Sequence, residues 1–230
     1  MNPLTNLSKP IAWSHSRLDT FQQCPRKLFE ISIAKNVPFE QSTAMKQGEI
    51  VHKMLEDRIS KGTPFPLGYE HLEKVVAPVL AVAGEGQCFT ELALAWDKEF
   101  KSCGTRDWDR CWLRVSYDFA FLRNKTLFIF DWKTGNPSFS EAQLLLYAAT
   151  AFLAFPDVEE VVTAFAWIKT NMLDSKTYYR TEVKTMWEKI LPEVQKLQDA
   201  NALNIWPATK NKYCNWCAVK KAGRCPEFNS

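Results

Sequence analysis

The sequence feature that most constrains the fold is an apolar run followed directly by charged residues. Residues 127–130 read Leu-Phe-Ile-Phe and are followed by Asp131, Trp132 and Lys133. A strand that is apolar on both faces is typical of the centre of a sheet that helices cover on both sides. Because side chains alternate along a strand, Asp131 and Lys133 share one face. Burying charge is costly, so the end of this strand needs a compensating partner.

A second strand brings another acid to the same region. Residues 113–122 alternate between apolar and polar side chains, and a turn at 123–125 joins them to the first strand, which places Asp118 beside Asp131. Close carboxylates raise each other's pKa unless a cation is shared, and Mg²⁺ or Mn²⁺ suits oxygen ligands. Lys133 could then orient a water or stabilise charge on a phosphate. A simple Asp131–Lys133 ion pair fits the same pattern, so both interpretations stay open.

The remaining periodicities predict an α/β fold, a central mixed sheet flanked by helices. Helices are predicted at 16–34, 44–59, 69–83, 140–155 and 185–200, and further strands at 158–169 and 177–183, while 90–100 fits either period. There is no repeat or flexible linker in the sequence, so we expect a single domain over residues 1–230.

Composition excludes several classes of protein. Nine tryptophans and fifteen phenylalanines in 230 residues provide too much apolar surface for a disordered chain. The net charge of +3 leaves no global footprint for nucleic acid, although residues 205–230 carry five basic residues and one acid. No stretch reaches the roughly 18 apolar residues of a membrane span, and residues 1–10 lack the order of a signal peptide. We therefore expect a cytoplasmic protein, or one in the host cytoplasm if it is phage-encoded.

The cysteines and two helical pairs are further candidates. The count of seven cysteines argues against a disulfide framework, and Cys214-x2-Cys217 followed by Cys225 has the spacing of a zinc or iron-sulfur site. Two pairs on helices have a four-residue spacing that places each pair on one face: Gly48 with His52, and Gln143 with Tyr147. Each pair could also be an ordinary polar helix edge.

Taken together, Gly48-x3-His52, Asp118, Asp131-x-Lys133-Thr-Gly and Gln143-x3-Tyr147 resemble the RecB-type branch of the PD-(D/E)XK nuclease superfamily. The resemblance covers about residues 14–227. It implies a restriction-endonuclease-like core at 44–200, with cluster-bearing ends at 14–30 and 205–230. In this family the residues that match His52, Asp118 and Asp131, and the carbonyl that matches Trp132, bind the catalytic metals. The lysine that matches Lys133 serves the attacking water, and Gln143 and Tyr147 match residues along the DNA path.

The resemblance extends to the cysteines. Residues 14–27, with Ser14, Ser16, Leu18, Phe21 and Cys24-Pro25, look like the N-terminal element of AddB-type and CRISPR-associated relatives that carry a [4Fe-4S] cluster. In those relatives one upstream cysteine joins three downstream ones. This implies a structural cluster that joins the two ends of the chain through Cys24, Cys214, Cys217 and Cys225, with zinc as the alternative. We expect Cys88, Cys103 and Cys111 to be ordinary thiols.

These observations predict a Mg²⁺- or Mn²⁺-dependent DNA nuclease, an exonuclease by resemblance. The partner is DNA, together with recombination, helicase or single-strand-binding proteins, in recombination, repair, phage DNA metabolism or CRISPR adaptation. The first alternative is a catalytically weak or inactive module of the same fold that binds DNA ends. The second is a zinc-stapled interaction protein in which Asp131 and Lys133 have only a structural role.

Overall fold

The structure is a computed structural model that describes residues 9–138 and 140–228. Residues 1–8, 139, 229 and 230, which the predicted single domain includes, lie outside the described residues. The described α-helices are α1 His15–Gln23, α2 Pro25–Leu28, α3 Thr43–Lys61, α4 Glu73–Ala83, α5 Glu141–Ala154, α6 Val183–Leu203 and α7 Ala218–Lys221. The described strands are β1 Gln87–Trp96, β2 Leu113–Arg123, β3 Thr126–Lys133, β4 Glu160–Trp167 and β5 Met172–Tyr179. No described helix is both long and apolar enough to span a membrane.

The chain divides into two compact units. One consists of Met1–Gln41 together with Lys189–Ser230, and the other is Ser42–Glu188. We call them the terminal unit and the sheet unit. The terminal unit contains both predicted cysteine-bearing segments, and the sheet unit contains all five strands.

The sheet unit confirms the predicted α/β class. Its sheet has the order β1-β2-β3-β4-β5, in which β3 and β4 are parallel and the other neighbours are antiparallel. The apolar strand β3 therefore has a hydrogen-bonded neighbour on each side, as its sequence predicts. Helix α5 lies in the crossover that joins the two parallel strands, where a helix is the usual connection.

An aromatic stack fixes the middle of this sheet. The rings of Phe119, Phe130 and Trp132 lie with centroids 6.1–6.4 Å apart, and all three side chains are buried. Val51 and Leu55 of α3 belong to the same core cluster. Because these two residues hold α3 against the core, the neighbouring residues of the helix reach the end of β3 in a fixed position.

In the terminal unit the predicted helix at residues 16–34 is wrong as a continuous element. Helix α1 ends at Gln23, Cys24 is extended with φ −166°, and α2 starts at Pro25, followed by a π-helical turn at Phe29–Ile33. The apolar spacing hides this break, but a residue that precedes proline is disfavoured in the helical region.

A second correction concerns the last strand. The predicted strand at 177–183 is displaced, because β5 occupies Met172–Tyr179 and a 3-10 turn begins at Arg180. Residues 172–176 are mostly exposed, as expected for an edge strand, so they carry a weak apolar signal. The predicted strand at 158–169, by contrast, corresponds to β4, Glu160–Trp167.

A buried carboxylate joins the two chain segments of the terminal unit. Glu30 is fully buried and accepts hydrogen bonds from Arg224 Nε at 2.7 Å and Asn36 Nδ2 at 2.9 Å, while Arg26 makes an ion pair with its other oxygen at 2.6 Å. Burial opposes ionisation, but these partners outweigh it and lower the pKa of Glu30 below its usual value. The segment around Cys24 is thereby linked to the one around Cys225.

Candidate active site and cysteine cavity

The candidate site forms where β2 and β3 separate. Their ladder extends as far as the pair Phe119 and Phe130. Two residues after Phe130, the Trp132 amide donates a 2.8 Å hydrogen bond to Asp118 Oδ2 instead of to a backbone carbonyl. The Trp132 carbonyl lies 2.8 Å from His52 Nε2. Side chains of the site therefore contact both the backbone amide and the backbone carbonyl of Trp132, as backbone groups in an interior require.

His52 reaches this point from α3. Its Nδ1 lies 3.4 Å from Asp118 Oδ2, so the imidazole contacts both Asp118 and the Trp132 carbonyl. One turn earlier, Gly48 lies so close to the end of β3 that an added Cβ would meet Thr134 Oγ1 at 3.2 Å. The glycine that interrupts the apolar face of α3 thus permits the close approach of helix and strand that puts His52 in the site.

Asp131 is held by two residues of α5. Its Oδ1 accepts hydrogen bonds from Tyr147 Oη at 2.8 Å and from Gln143 Nε2 at 3.1 Å, and Gln143 Nε2 is also 2.9 Å from Tyr147 Oη. The resemblance places Gln143 and Tyr147 along the DNA path. In the structure their polar groups face Asp131, and Tyr147 is buried.

Lys133 is fixed by the same network. Its ammonium makes an ion pair with Asp131 Oδ2, donates to Gln143 Oε1 at 3.1 Å, and lies 4.7 Å from the centroid of the Phe165 ring. Contact between Asp131 and Lys133 agrees with their predicted place on one face of β3. Asp131 Oδ2 is buried and makes no hydrogen bond, so Lys133 and a bound cation are its available partners.

Glu91 of β1 joins the site although the sequence did not single it out. One ligand atom each from His52, Glu91 and Asp118 lie within 4.8 Å of one another. The pairing of β1 with β2 is interrupted between Thr90 and Leu92, and Glu91 has φ +48°, a left-handed conformation that costs energy for a residue other than glycine. The one available signal was an acid within an otherwise apolar stretch, and that stretch also fitted a helix.

The charges of the site favour protonation when no cation is present. Burial and the charge of Asp118 raise the pKa of Asp131, despite Lys133 and Tyr147. Desolvation and the same charge raise the pKa of Glu91. Burial works against the charged form of His52, but the hydrogen bond and charge of Asp118 outweigh it and raise its pKa above the usual value. A shared divalent cation would relieve this repulsion.

The sheet unit has a cleft of about 740 Å³ at this site. His52, Glu91, Asp131 and Lys133 border it, together with residues of α3 and the loop after β3. Imidazole nitrogen, carboxylate oxygens and a backbone carbonyl form a donor set that suits Mg²⁺ or Mn²⁺. The residues present therefore fit a divalent metal.

The terminal unit places its four predicted cysteine ligands around one small cavity. Cys24, Cys214, Cys217 and Cys225 all line a space of about 30 Å³. The Thr209 amide donates to Cys24 Sγ at 3.5 Å, and the Asn211 amide donates to Cys214 Sγ at 3.3 Å. In the described part of the chain no three thiols lie within 4.8 Å of one another, so the cysteines share a cavity without forming a tight cluster.

The other three cysteines lie elsewhere. Cys88 is exposed, Cys103 is half-buried and Cys111 is buried, and none of the three borders the cysteine cavity. Cys111 Sγ accepts a hydrogen bond from Arg114 Nε at 3.0 Å. All three belong to the sheet unit.

Comparison with protein families identifies the fold. The family model of the PD-(D/E)XK nuclease superfamily matches residues 12–226, which is nearly the whole chain. The chain belongs to this superfamily. Membership agrees with the resemblance in the sequence and with the mixed five-stranded sheet, and it makes the protein a member of a nuclease superfamily for which divalent metal is the usual cofactor.

Solved structures show a more distant likeness. The structure of SSO0001 is 14% identical, with a TM-score of 0.46, over 97% of this chain and 90% of that one. A protein named "putative exonuclease" from Eubacterium rectale is 12% identical, with a TM-score of 0.47, over 87% of each chain. No curated protein matches the sequence significantly.

The raised pKa of His52 predicts a pH dependence of stability in metal-free protein. A group whose pKa is higher in the folded than in the unfolded chain stabilises fully below the unfolded value, about 6.5 for histidine, and loses this contribution as the pH rises through the folded value. We expect the free energy of unfolding of the wild type, measured by urea denaturation in EDTA, to fall over this interval relative to that of His52→Gln.

Asp118→Asn provides the matching control, because it removes the cause of the shift but keeps the imidazole. In this variant we expect the pKa of His52, measured by NMR titration, to move back towards its ordinary value. An unchanged pKa in Asp118→Asn would contradict the assigned cause.

Proposed function

We propose that the protein is a divalent-metal-dependent DNA nuclease, and most specifically an exonuclease. The observation that carries the proposal is that His52, Asp131 and Lys133 border one open cleft and that Asp118 contacts both His52 and the Trp132 amide beside it. Two carboxylates, an imidazole and an ammonium at one strand end are the groups required for metal-assisted hydrolysis of a phosphodiester.

In this proposal His52, Asp118, Asp131 and the carbonyl of Trp132 hold the metal, and Glu91 contributes a further carboxylate. When bound, Mg²⁺ or Mn²⁺ lowers the pKa of a water and neutralises charge on the phosphate. Lys133, whose ammonium is held by Asp131 and Gln143, orients the attacking water and stabilises the charge that develops on the phosphate oxygens.

Gln143 and Tyr147 act as positioning residues. Their hydrogen bonds occupy Asp131 Oδ1, so a bound cation would share Oδ2 with the ammonium of Lys133. Gln143 also links Asp131 to Lys133. The carboxylate and the ammonium therefore keep a fixed relative position, which catalysis by pre-organised charges requires.

The substrate, the mode of action, the pathway and the protein partners extend the proposal beyond the site. DNA as substrate, action from ends, and a place in recombination, repair, phage DNA metabolism or CRISPR adaptation rest on the family resemblance. The same holds for helicase, recombination or single-strand-binding proteins as partners. A module that binds DNA ends without turnover and a zinc-stapled interaction protein are the outcomes that the experiments below distinguish from a nuclease.

Substitution at the strand end tests the catalytic role. We expect Lys133→Ala and Asp131→Ala each to lower Mg²⁺- or Mn²⁺-dependent cleavage of end-labelled linear DNA by at least about a hundredfold, because each removes a group that acts on the transition state. Lys125→Ala, in the turn before β3, is the control that should cleave normally, and circular dichroism should show an intact fold in all three.

Closed circular DNA separates the modes of action. An exonuclease degrades the linear substrate and leaves the circle intact. Full cleavage by both purified site variants would exclude the proposed mechanism, and DNA binding by the wild type without product under either metal would identify the inactive module.

Glu91→Gln tests the additional ligand. We expect this variant to bind Mn²⁺ at least about tenfold more weakly by isothermal titration without DNA, since a carboxylate that neutralises the cation is replaced by a neutral amide. Glu56→Gln is the matched control, because Glu56 borders the same cleft but is paired with Lys53 at 2.8 Å. Equal affinity of Glu91→Gln and the wild type would remove Glu91 from the metal site.

For the cysteine cavity we propose a structural [4Fe-4S] cluster held by Cys24, Cys214, Cys217 and Cys225. Two backbone amides already donate to two of these sulfurs, an arrangement that stabilises thiolates around iron-sulfur centres. A cluster that links Cys24 to Cys214 would restrict the unfolded chain. By analogy with a disulfide that closes a loop of this length, this would raise the free energy of unfolding by about 5 kcal/mol.

The spacing of the thiols bears on zinc, the alternative. Four thiolates at about 2.3 Å from a tetrahedral zinc ion lie about 3.8 Å from one another. Among the described residues no three thiols lie within 4.8 Å of one another, so binding of zinc requires the two cysteine-bearing segments to move closer together.

Purification without air distinguishes the two. We expect brown wild-type protein with about four iron and four sulfide per chain, and colourless, destabilised Cys24→Ser. Cys88→Ser, an exposed cysteine outside the cavity, should keep the colour. Colourless wild-type protein that contains zinc would replace the cluster assignment and leave the nuclease proposal untouched.

A further inference from the structure

The terminal unit exposes aromatic rings next to its cysteine cavity. Trp216 is 73% exposed and Tyr213 is 48% exposed, although tryptophan is mostly buried in folded proteins. Trp216 makes no ring contact within the described chain. We call the surface formed by Lys212, Tyr213, Trp216, Lys220 and Lys221 the tail surface.

The backbone under Trp216 is well fixed. The residue ends a 3-10 turn, Cys214–Trp216, in which its amide donates to the Tyr213 carbonyl at 3.1 Å. The next amide, that of Cys217, donates to the Cys214 carbonyl at 3.3 Å. Because a hydrogen-bonded turn holds the indole outward, the ring is presented to solvent at a low entropic cost of ordering.

The charge of the tail surface is unbalanced. Two neighbouring cations are already paired, Lys210 with Glu227 at 3.4 Å and Arg224 with Glu30 at 2.7 Å. Lys212, Lys220 and Lys221 form no ion pair with a carboxylate in the part of the chain that is described. Their positive charge is available to an anion.

Cations and rings are adjacent on this surface. Lys212 Nζ lies 5.2 Å from the centroid of the Tyr213 ring, and Lys220 Nζ lies 4.0 Å from the centroid of the Phe228 ring beside the surface. A ligand that follows the surface would therefore meet a ring and a positive charge within one side-chain length. Single-stranded nucleic acid presents this alternation, because each nucleotide carries a π-face and a phosphate.

We propose that the tail surface is a second nucleic-acid contact, which binds single-stranded DNA independently of sequence by stacking bases on Trp216 and Tyr213 and pairing phosphates with Lys212, Lys220 and Lys221. An unpaired base is required because a duplex keeps its bases stacked inside. A protein partner fits less well, since lysine is depleted in protein interfaces. The surface belongs to the terminal unit and includes no proposed metal ligand.

Fluorescence anisotropy with fluorescein-labelled dT15, in buffer without added divalent metal, tests this proposal. We expect Trp216→Ala to bind about tenfold more weakly than the wild type, because loss of one stacked base has an effect of this order. Trp216→Phe should retain most of the affinity. Trp108→Ala is the matched control: Trp108 is 69% exposed but lies in the sheet unit against the Arg114 guanidinium, at 3.7 Å, and its loss should leave binding unchanged.

A second variant covers the case in which Trp216→Ala disturbs the fold or the cysteine site. Lys212→Ala should weaken binding of dT15 and reduce the slope of log affinity against log salt by about 0.7, the value for one phosphate contact on a single strand. Thermal unfolding and the cluster absorbance establish that each variant is intact. Unchanged dT15 affinity in an intact Trp216→Ala, or an unchanged affinity and salt slope in Lys212→Ala, would overturn the proposal.

A duplex ligand and a cleavage assay distinguish single-strand binding from duplex binding and from nuclease activity. A 15-base-pair duplex should bind more weakly than dT15 to the wild type and should be insensitive to Trp216→Ala. Equal loss of both ligands in this variant would identify a duplex-binding surface and reject the single-strand assignment. Because these measurements need no turnover, Trp216-dependent binding without any cleavage would reject the nuclease proposal alone, and cleavage with Trp216-independent binding would reject this one alone.

Discussion

The site depends on the separation of β2 and β3 before Trp132. Beyond Phe119 and Phe130 the β2–β3 ladder ends, so the backbone amide and carbonyl of Trp132 need other partners in the interior. Asp118 accepts a hydrogen bond from the amide, and His52 Nε2 contacts the carbonyl. A pairing defect in the sheet thus orients two of the proposed metal ligands, and the adjacent residues Asp131 and Lys133 complete the set.

Local pattern was sufficient for the part of the site that lies on neighbouring strands. Alternation placed Asp131 and Lys133 together, and the turn at 123–125 brought Asp118 alongside. His52, Gln143 and Tyr147 lie on helices, and their approach to β3 depends on packing between distant segments. Periodicity does not encode that packing, so the helical spacing made these three residues candidates and only the family resemblance gave them roles. The sequence did not identify Glu91, because its place in the site depends on a distorted backbone opposite Asp118.

The prediction of helices and strands from the sequence had similar limits. The core elements β2, β3, α3 and α5 have strong periodicity, and the structure places them close to the predicted residues. The two displaced elements are those for which a local rule opposed the apolar pattern: a proline that splits α1 from α2, and an exposed edge strand, β5, with little apolar signal. Neither correction changes the α/β class, because the central strand and its crossover helix determine it.

The side chain and the backbone of Trp132 have different structural roles. Its indole is buried in the aromatic stack with Phe119 and Phe130, while its peptide forms the centre of the site. Interior packing and ligand geometry are therefore mechanically coupled through a single Cα. A substitution that fills or empties the stack would tilt this peptide even when the protein stays folded. Divergent members of such a lineage would consequently have to change their core volume and the geometry of the proposed metal ligands together, and this limits how freely either can vary.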